Sequence, residues 1–184
     1  KSALVTTDTE IESQSMVDYL CSCGHKRIAF ITSGDEGLGR CHLNGYKRSL
    51  EKNGLEYDEK LIIRLKPGKR IYTIENGYNC TCELLKSGVD FSCIYAISDT
   101  LAVGACRAVI DSGKRVPEDY CVAGADGQDI AEYYHPSITT LKYPRVEIAL
   151  QSVRTLFDLI NRKKVVKRQI LGGTLIERES TRKL

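Results

Sequence analysis

The sequence predicts an α/β fold built on a doubly wound parallel sheet. Short apolar runs of strand composition alternate along the whole chain with longer segments of helical periodicity. The best-defined unit spans Phe91–Asp126: Phe91–Ile97 and Tyr120–Ala125 are buried-strand runs with a helical pattern between them. Because such a crossover is right-handed and joins parallel strands, we expect a ligand site beyond the carboxyl ends of these strands.

The helix inside this unit has clear end signals. Ser98 or Asp99 can accept a hydrogen bond at its first turn, and apolar residues follow at three- and four-residue steps. Gly113 ends the helix, and Pro117 prevents it from continuing.

The other elements follow in regular alternation. We predict a strand end or hinge at 3–7, a helix at 9–23, a strand at 26–32, a glycine-rich loop at 33–39, a helix at 40–53, a strand at 61–65, a turn at Pro67-Gly68, a helix at 72–86, a short helix at 128–133, a strand at 138–141, a long helix at 144–161 and strands at 169–171 and 174–177.

Composition favours a cytoplasmic protein with an ordinary core. The chain has 184 residues, is 42% hydrophobic and carries a net charge of +3. No apolar run approaches the roughly 20 residues of a membrane span, and no signal peptide opens the sequence. The eight cysteines do not form a disulfide framework, since the C-x-C pairs lie in helical patterns and the other cysteines take apolar positions. Zinc binding is a weaker interpretation, and we expect neither a metal nor a cofactor.

Several motifs together carry a family resemblance. They are x-D-x-x-A-x-G-A after the strand at 91–97, G-x-x-V-P-E-D and G-x-D in the same unit, Gly24–Ile31, Gly45-Tyr46, Pro136–Leu141 and Leu175–Thr181. In this order they resemble the effector-binding core of the LacI/GalR transcription regulators. Each motif alone is weak, but the likeness covers nearly the whole chain.

The resemblance implies a division of the chain between two lobes. Residues 1–7 would be a hinge strand, 8–141 the second effector-binding lobe, 142–172 a returning helix and strand of the first lobe, and 173–184 a final crossover strand and tail. No helix-turn-helix pattern is present, so operator DNA would be bound only through a module outside this sequence.

The resemblance also nominates ligand-binding residues. Asp126 ends a strand, and its carboxylate can accept two sugar hydroxyls or instead cap the next helix. Tyr72 can stack on a sugar face or stand exposed at a helix start. Tyr95 and Asp99 would flank the same rim, although Asp99 is also a natural N-cap.

The glycine-rich loop and the helix after it hold the remaining candidates. The family usually carries arginine three residues before the glycine of R-x-x-G-[YFW]; here that position is His42, with Arg40 nearby and Glu36 on the loop. A histidine can donate one hydrogen bond and accept another, which suits a neutral polyol better than an anion. We expect Arg40, His42, Tyr72 and Asp126 to meet on one rim.

The leading function is therefore the effector-sensing and dimerisation core of a regulator, with a sugar or similar polyol as ligand. The alternative is a solute-binding protein of a sugar transporter with the same fold. No G-x-S-x-G elbow or metal-ligand histidine spacing supports an enzyme.

Two surfaces should make contacts between chains. The helix at 99–111 and the corner Tyr133–His135 match the segments through which family members form homodimers. The helix at 144–161 carries an apolar stripe of Val146, Leu150, Val153, Phe157 and Ile160. We expect this stripe to fold back over the lobe or to pack against a second chain.

Overall fold

A computed structural model describes residues 2–66, 68 and 70–184. Along the chain the elements are β1 (Leu4–Thr6), α1 (Thr9–Ser22), β2 (Ile28–Thr32), α2 (Gly37–Lys52), a 3-10 turn (Glu59–Leu61), β3 (Ile62–Arg64), α3 (Ile74–Lys86), β4 (Cys93–Ala96), α4 (Asp99–Asp111), β5 (Cys121–Asp126), α5 (Asp129–Tyr133), β6 (Thr139–Lys142), α6 (Arg145–Ile160), β7 (Arg168–Ile170) and β8 (Thr174–Ile176).

The strands form two sheets. The larger has the order β3-β2-β4-β5-β6-β8, and all of its neighbours are parallel except β8, which pairs antiparallel with β6. The smaller is the parallel pair β1–β7, and α6 packs on it. The predicted doubly wound parallel fold is confirmed; the antiparallel β8 is an addition that the short final strands did not indicate.

Helices bury both faces of the larger sheet, and aromatic stacking fills one face. All five residues of β2 are buried. Within this strand Phe30 stacks on Tyr46 of α2 at 4.9 Å and on Tyr95 of β4 at 5.1 Å between ring centroids. The hydroxyl of Tyr46 donates to the main-chain oxygen of Ile28 at 2.8 Å, so this buried polar group is paired.

Two element boundaries differ from the predicted ones, and one of two predicted caps is selected, in ways that affect the site. The helix α2 begins at Gly37, so the glycine-rich loop is shorter than expected. Thr73 caps α3, which leaves Tyr72 before the helix. Ser98, rather than Asp99, caps α4, because its Oγ accepts from the N–H of Leu101 at 3.3 Å. The predicted turn at Pro67-Gly68 falls partly outside the described residues.

Glycines allow two helix pairs to approach closely. A Cβ on Gly77 of α3 would overlap the main-chain oxygen of Leu101, and one on Gly104 of α4 would overlap that of Ile74. A Cβ on Gly45 of α2 would likewise overlap the carbonyl of Glu10 in α1. These contacts are with main-chain atoms, which cannot move aside as a flexible side chain can.

The helix α6 differs from our expectation. Its contact with the β1–β7 sheet uses the face that carries Gln151 and buried Thr155, both of which hydrogen-bond to Gln169 of β7. The predicted apolar stripe lies elsewhere on the helix and is exposed, from 52% at Val153 to 68% at Val146. The expectation that it folds back over the lobe is wrong, because the small sheet holds the helix by another face. Packing against a second chain stays a prediction.

Replacing Gly77 with alanine tests the helix contact. We expect Gly77→Ala to lower the free energy of unfolding by about 3 kcal/mol, since two helix backbones would have to separate. Urea unfolding at neutral pH measures this. Gly172→Ala is the control, because its added Cβ would meet nothing within 4 Å. Equal unfolding midpoints for the two variants would contradict the close approach.

Candidate functional site

A cleft of about 570 Å³ opens at the carboxyl ends of β4 and β5, beside the start of α4. Chain segments that leave the two sheets form its walls. The lining residues are Thr6, Thr7, Thr9, Leu38, His42, Tyr72, Ile97, Ser98, Thr100, Asp126, Gln128 and Tyr143. Ligands of parallel α/β sheets bind beyond the carboxyl ends of the strands, and the cleft lies there.

His42 contributes a neutral hydrogen-bonding group to this cleft. It lies in the second turn of α2 and is 6% exposed. Burial lowers the pKa of His42 to about 4, so the imidazole is uncharged at neutral pH. Its Nδ1 is buried and finds no hydrogen-bond partner in the part of the chain that the structure describes.

Asp126 brings a carboxylate to the same cleft at the end of β5. Its φ of +106° lies in the left-handed region, an unusual conformation for a residue other than glycine. Burial raises the pKa of Asp126, while a hydrogen bond from Gln128 Nε2 (2.8 Å) and the guanidinium of Arg145 (3.7 Å) oppose that rise. The carboxylate is therefore held in one orientation at the cleft wall.

Asp99 lies beneath the cleft and joins its walls. It is fully buried and accepts hydrogen bonds from the Gln128 N–H and from Thr140 Oγ1, both at 2.6 Å. Burial raises the pKa of Asp99 to about 6. A Cβ on Gly124 would overlap Asp99 Oδ1, so the glycine of the G-x-D motif makes room for this carboxyl.

The structure brings together three of the seven residues nominated from the sequence. His42, Tyr72 and Asp126 line the cleft, and Asp99 supports it from below. Tyr72 is 46% exposed and lies just before the N-cap of α3.

The other three nominated residues lie away from the lining. The expectation that Tyr95 flanks the rim is wrong, because its ring points into the core against Phe30. Arg40 is exposed and donates from Nε to the Asp35 carbonyl at 3.0 Å. Arg40 lies two residues before His42 on α2, so the two side chains point in different directions. The expectation that Arg40 lies at the cleft is therefore also wrong. Glu36 is exposed at the N-cap of α2.

Sequence reasoning missed the lining residues at and just beyond the ends of β1 and β6. Thr6, Thr7 and Thr9 form one wall, and Tyr143 forms part of another. The available signal was position alone, since each lies at or just after the end of a strand. Gln128 was detectable in the same way, two residues beyond Asp126.

Other features bear on what chemistry the chain supports. All eight cysteines are free thiols, and burial raises the pKa of Cys93 well above its usual value and that of Cys106 to about 12. Such thiols are poor nucleophiles. Among the described residues, no group of three or more His, Cys, Asp or Glu side chains could hold a metal ion. In that same part of the chain, none of the helices is both long and apolar enough to cross a membrane.

A parallel sheet with a polar cleft at its strand ends, crossed by segments from a second small sheet, defines a small-molecule binding protein. The family model of the periplasmic binding protein-like domain matches residues 17–181. Two curated relatives are the HTH-type transcriptional regulators MalR of Clostridium butyricum, 41% identical over 79% of this chain and 42% of its own length, and AscG of Escherichia coli, 33% identical over 96% and 51%.

Solved structures of similar proteins point to the same family. The CelR–cellobiose complex is 31% identical with a TM-score of 0.86, covering 97% of this chain and 54% of that one. A LacI family regulator from Enterococcus faecium with bound ribose is 29% identical with a TM-score of 0.85, covering 100% and 66%. The chain therefore belongs to the periplasmic binding protein-like domain family, in the form found in LacI-family transcriptional regulators. It spans about half the length of the curated relatives it matches.

The low pKa of His42 predicts a specific pH dependence of stability. In the unfolded chain the pKa of His42 is near the ordinary histidine value of 6.5, whereas in the folded protein burial lowers it to about 4. The unfolded state therefore binds more protons in this range, and stability falls as pH drops below 6.5. Between pH 7 and 5 we expect the wild-type protein to lose about 2 kcal/mol more than His42→Gln, measured by urea unfolding. The variant His135→Gln, at an exposed position, should lose as much stability as the wild type. An equal loss of stability in all three proteins would show that His42 is not the cause of the pH dependence.

Proposed function

We propose that this chain is part of the effector-binding region of a LacI-type transcriptional regulator, and that its cleft binds a neutral sugar or similar polyol. The observation that carries the proposal is the lining of the cleft. Hydroxyls, an amide, a neutral imidazole and one carboxylate meet there beside two tyrosine rings.

These groups suit a polyhydroxylated ligand. The Asp126 carboxylate can accept two hydroxyl hydrogen bonds, and the neutral imidazole of His42, which lines the cleft, suits a further polar contact with a hydroxyl. Tyr72 and Tyr143 offer flat faces for the apolar side of a sugar ring. Among the described residues that line the cleft none is Lys or Arg, which disfavours an anionic ligand such as a sugar phosphate. The relatives bound to cellobiose and ribose support this class of ligand.

The regulator is favoured over a transporter's solute-binding protein with the same fold. The curated relatives cited above are transcriptional regulators, and eight free thiols suit a reducing cytoplasm. Because such regulators act by binding, we assign the chain no reaction.

The rest of such a regulator would supply what this chain does not. In our proposal 8–141 form the second effector-binding lobe, while 1–7, 142–172 and 173–184 are the hinge strand, the returning helix and strand of the first lobe, and the final crossover. The remainder of the first lobe would cover the exposed stripe of α6, where each large side chain stands to gain about 1.5–3 kcal/mol on burial. A separate helix-turn-helix would bind operator DNA.

Ligand binding is tested with the full-length regulator by thermal shift and calorimetry against neutral sugars and their phosphates. We expect a neutral sugar to bind and Asp126→Asn to weaken that binding about 10- to 100-fold, the effect of removing hydrogen bonds to a charged acceptor. Asp129→Asn, three residues away and exposed, is the control. Preference for the phosphorylated sugars, or equal affinity of both variants and the wild type, would contradict the assignment.

Self-association is a separate part of the proposal. Tyr133 is 83% exposed beside α4, and exposed aromatic residues are enriched at interfaces. We expect the full-length protein to sediment as a dimer at micromolar concentration and Tyr133→Arg to raise its dissociation constant at least tenfold. The exposed Lys26→Glu variant should remain dimeric; a monomeric wild-type protein would refute the interface.

A further inference from the structure

Three chain segments cross from the β1–β7 sheet to the six-stranded sheet. The first is Thr7-Asp8 between β1 and α1, the second Tyr143-Pro144 between β6 and α6, and the third 171–173 between β7 and β8. Any change in the angle between the two sheets must pass through these segments, since they are the covalent links.

One buried carboxyl lies where the crossings meet. Glu12, in the first turns of α1, is 5% exposed. Its Oε1 accepts a hydrogen bond from the Gly173 N–H at 3.1 Å, and the Thr7 side chain is near enough to lower the pKa of the carboxyl. A Cβ on Gly173 would lie 2.9 Å from both Glu12 Oε1 and the Leu141 side chain, and 3.1 Å from the Lys142 carbonyl oxygen. Glu12 therefore contacts the first and third crossings directly, and Gly173 contacts the end of β6, from which the second departs.

This carboxyl is incompletely satisfied. Its Oε2 is buried and has no hydrogen-bond partner among the described residues. An ionised carboxylate needs several hydrogen bonds, whereas a neutral carboxyl loses much less on burial.

The groups facing Glu12 do not offset its charge. Asp8 is the N-cap of the same helix, Tyr95 faces Glu12 from β4, and Tyr143 faces it from the second crossing. From α2, His42 accepts a hydrogen bond from the neighbouring Ser13 through its carbonyl oxygen, and its ring is neutral. On the outer side of α1, Arg48 is paired with Glu10 at 2.7 Å. Burial, with a smaller contribution from Asp8, accordingly raises the pKa of Glu12 to about 7, although the Thr7 side chain and the Gly173 N–H oppose this rise.

We propose that Glu12 is a proton-sensitive latch across the crossing segments, closed while its carboxyl is neutral and released when it ionises. In the closed state the neutral carboxyl tolerates the unpartnered Oε2. After ionisation that oxygen requires water, which reaches it only if the third crossing moves away from α1. The latch therefore opens as pH rises through neutrality.

The latch also reaches the cleft. Thr7 and Tyr143, on either side of Glu12, both line it. If the proposed function holds, effector affinity depends on the protonation of Glu12, a residue that does not line the cleft itself. The latch can be tested without any ligand. A sugar screen that fails would therefore contradict the proposed function without affecting the test of the latch.

Amide hydrogen exchange of Gly173, followed by NMR and corrected for intrinsic exchange rates, tests the latch. A closed-state pKa of about 7 against 4.5 when open predicts that wild-type protection falls about tenfold between pH 6 and 8. In Glu12→Gln, which keeps the acceptor for Gly173 but cannot ionise, protection should change less than twofold. Glu10→Gln, about half a turn away, removes a carboxyl that is partly exposed and paired with Arg48, and should match the wild type.

Each outcome decides the proposal. Wild-type protection that is constant with pH, or an equal fall in Glu12→Gln, would overturn it. If Glu12→Gln does not fold, the ¹³C shift of the Glu12 carboxyl in the wild type replaces that comparison. A titration midpoint between pH 6 and 8 together with the tenfold fall supports the latch, and a midpoint below about 5 refutes it.

Discussion

The floor of the cleft depends on one buried carboxyl that ties together the ends of three neighbouring strands. Asp99 follows β4, and it accepts hydrogen bonds from the Gln128 N–H beyond β5 and from Thr140 in β6. Hydrogen bonds to a charged acceptor contribute about 1.5–3 kcal/mol each, whereas burial opposes ionisation and raises the pKa of Asp99 to about 6. Both bonds require the strands to be in register. The positions of Gln128 and of Asp126 beside it follow from this arrangement.

The sheet could be predicted because its strands have a strong local signal. The strands β4 and β5 are apolar runs bounded by capping residues and glycines, and their crossover fixes a parallel pairing. The helix α6 had an equally strong signal. Its apolar stripe showed which face of the helix is apolar, but it did not show which face contacts the β1–β7 sheet. Gln151 and Thr155 make that contact through Gln169, a polar pairing that periodicity does not detect.

The candidate site could be predicted only in part. His42, Tyr72 and Asp126 were found because they occupy strand ends or motif positions, and those positions meet at one edge of a parallel sheet. Arg40 and Tyr95 were misplaced because side-chain direction depends on helix phase and strand face, which a motif does not specify. The threonines after β1 were missed because they reach the cleft from another sheet, and their sequence has no feature that reveals this.

Three carboxyls in and around the cleft share a physical cost. Burial raises the pKa of Glu12, Asp99 and Asp126, so each opposes stability once it ionises. Asp99 recovers part of that cost through two short hydrogen bonds, and Asp126 through Gln128 and Arg145. Glu12 has only neutral donors and keeps one oxygen unpartnered. Of the three carboxyls, Glu12 is therefore the one whose ionisation its surroundings compensate least.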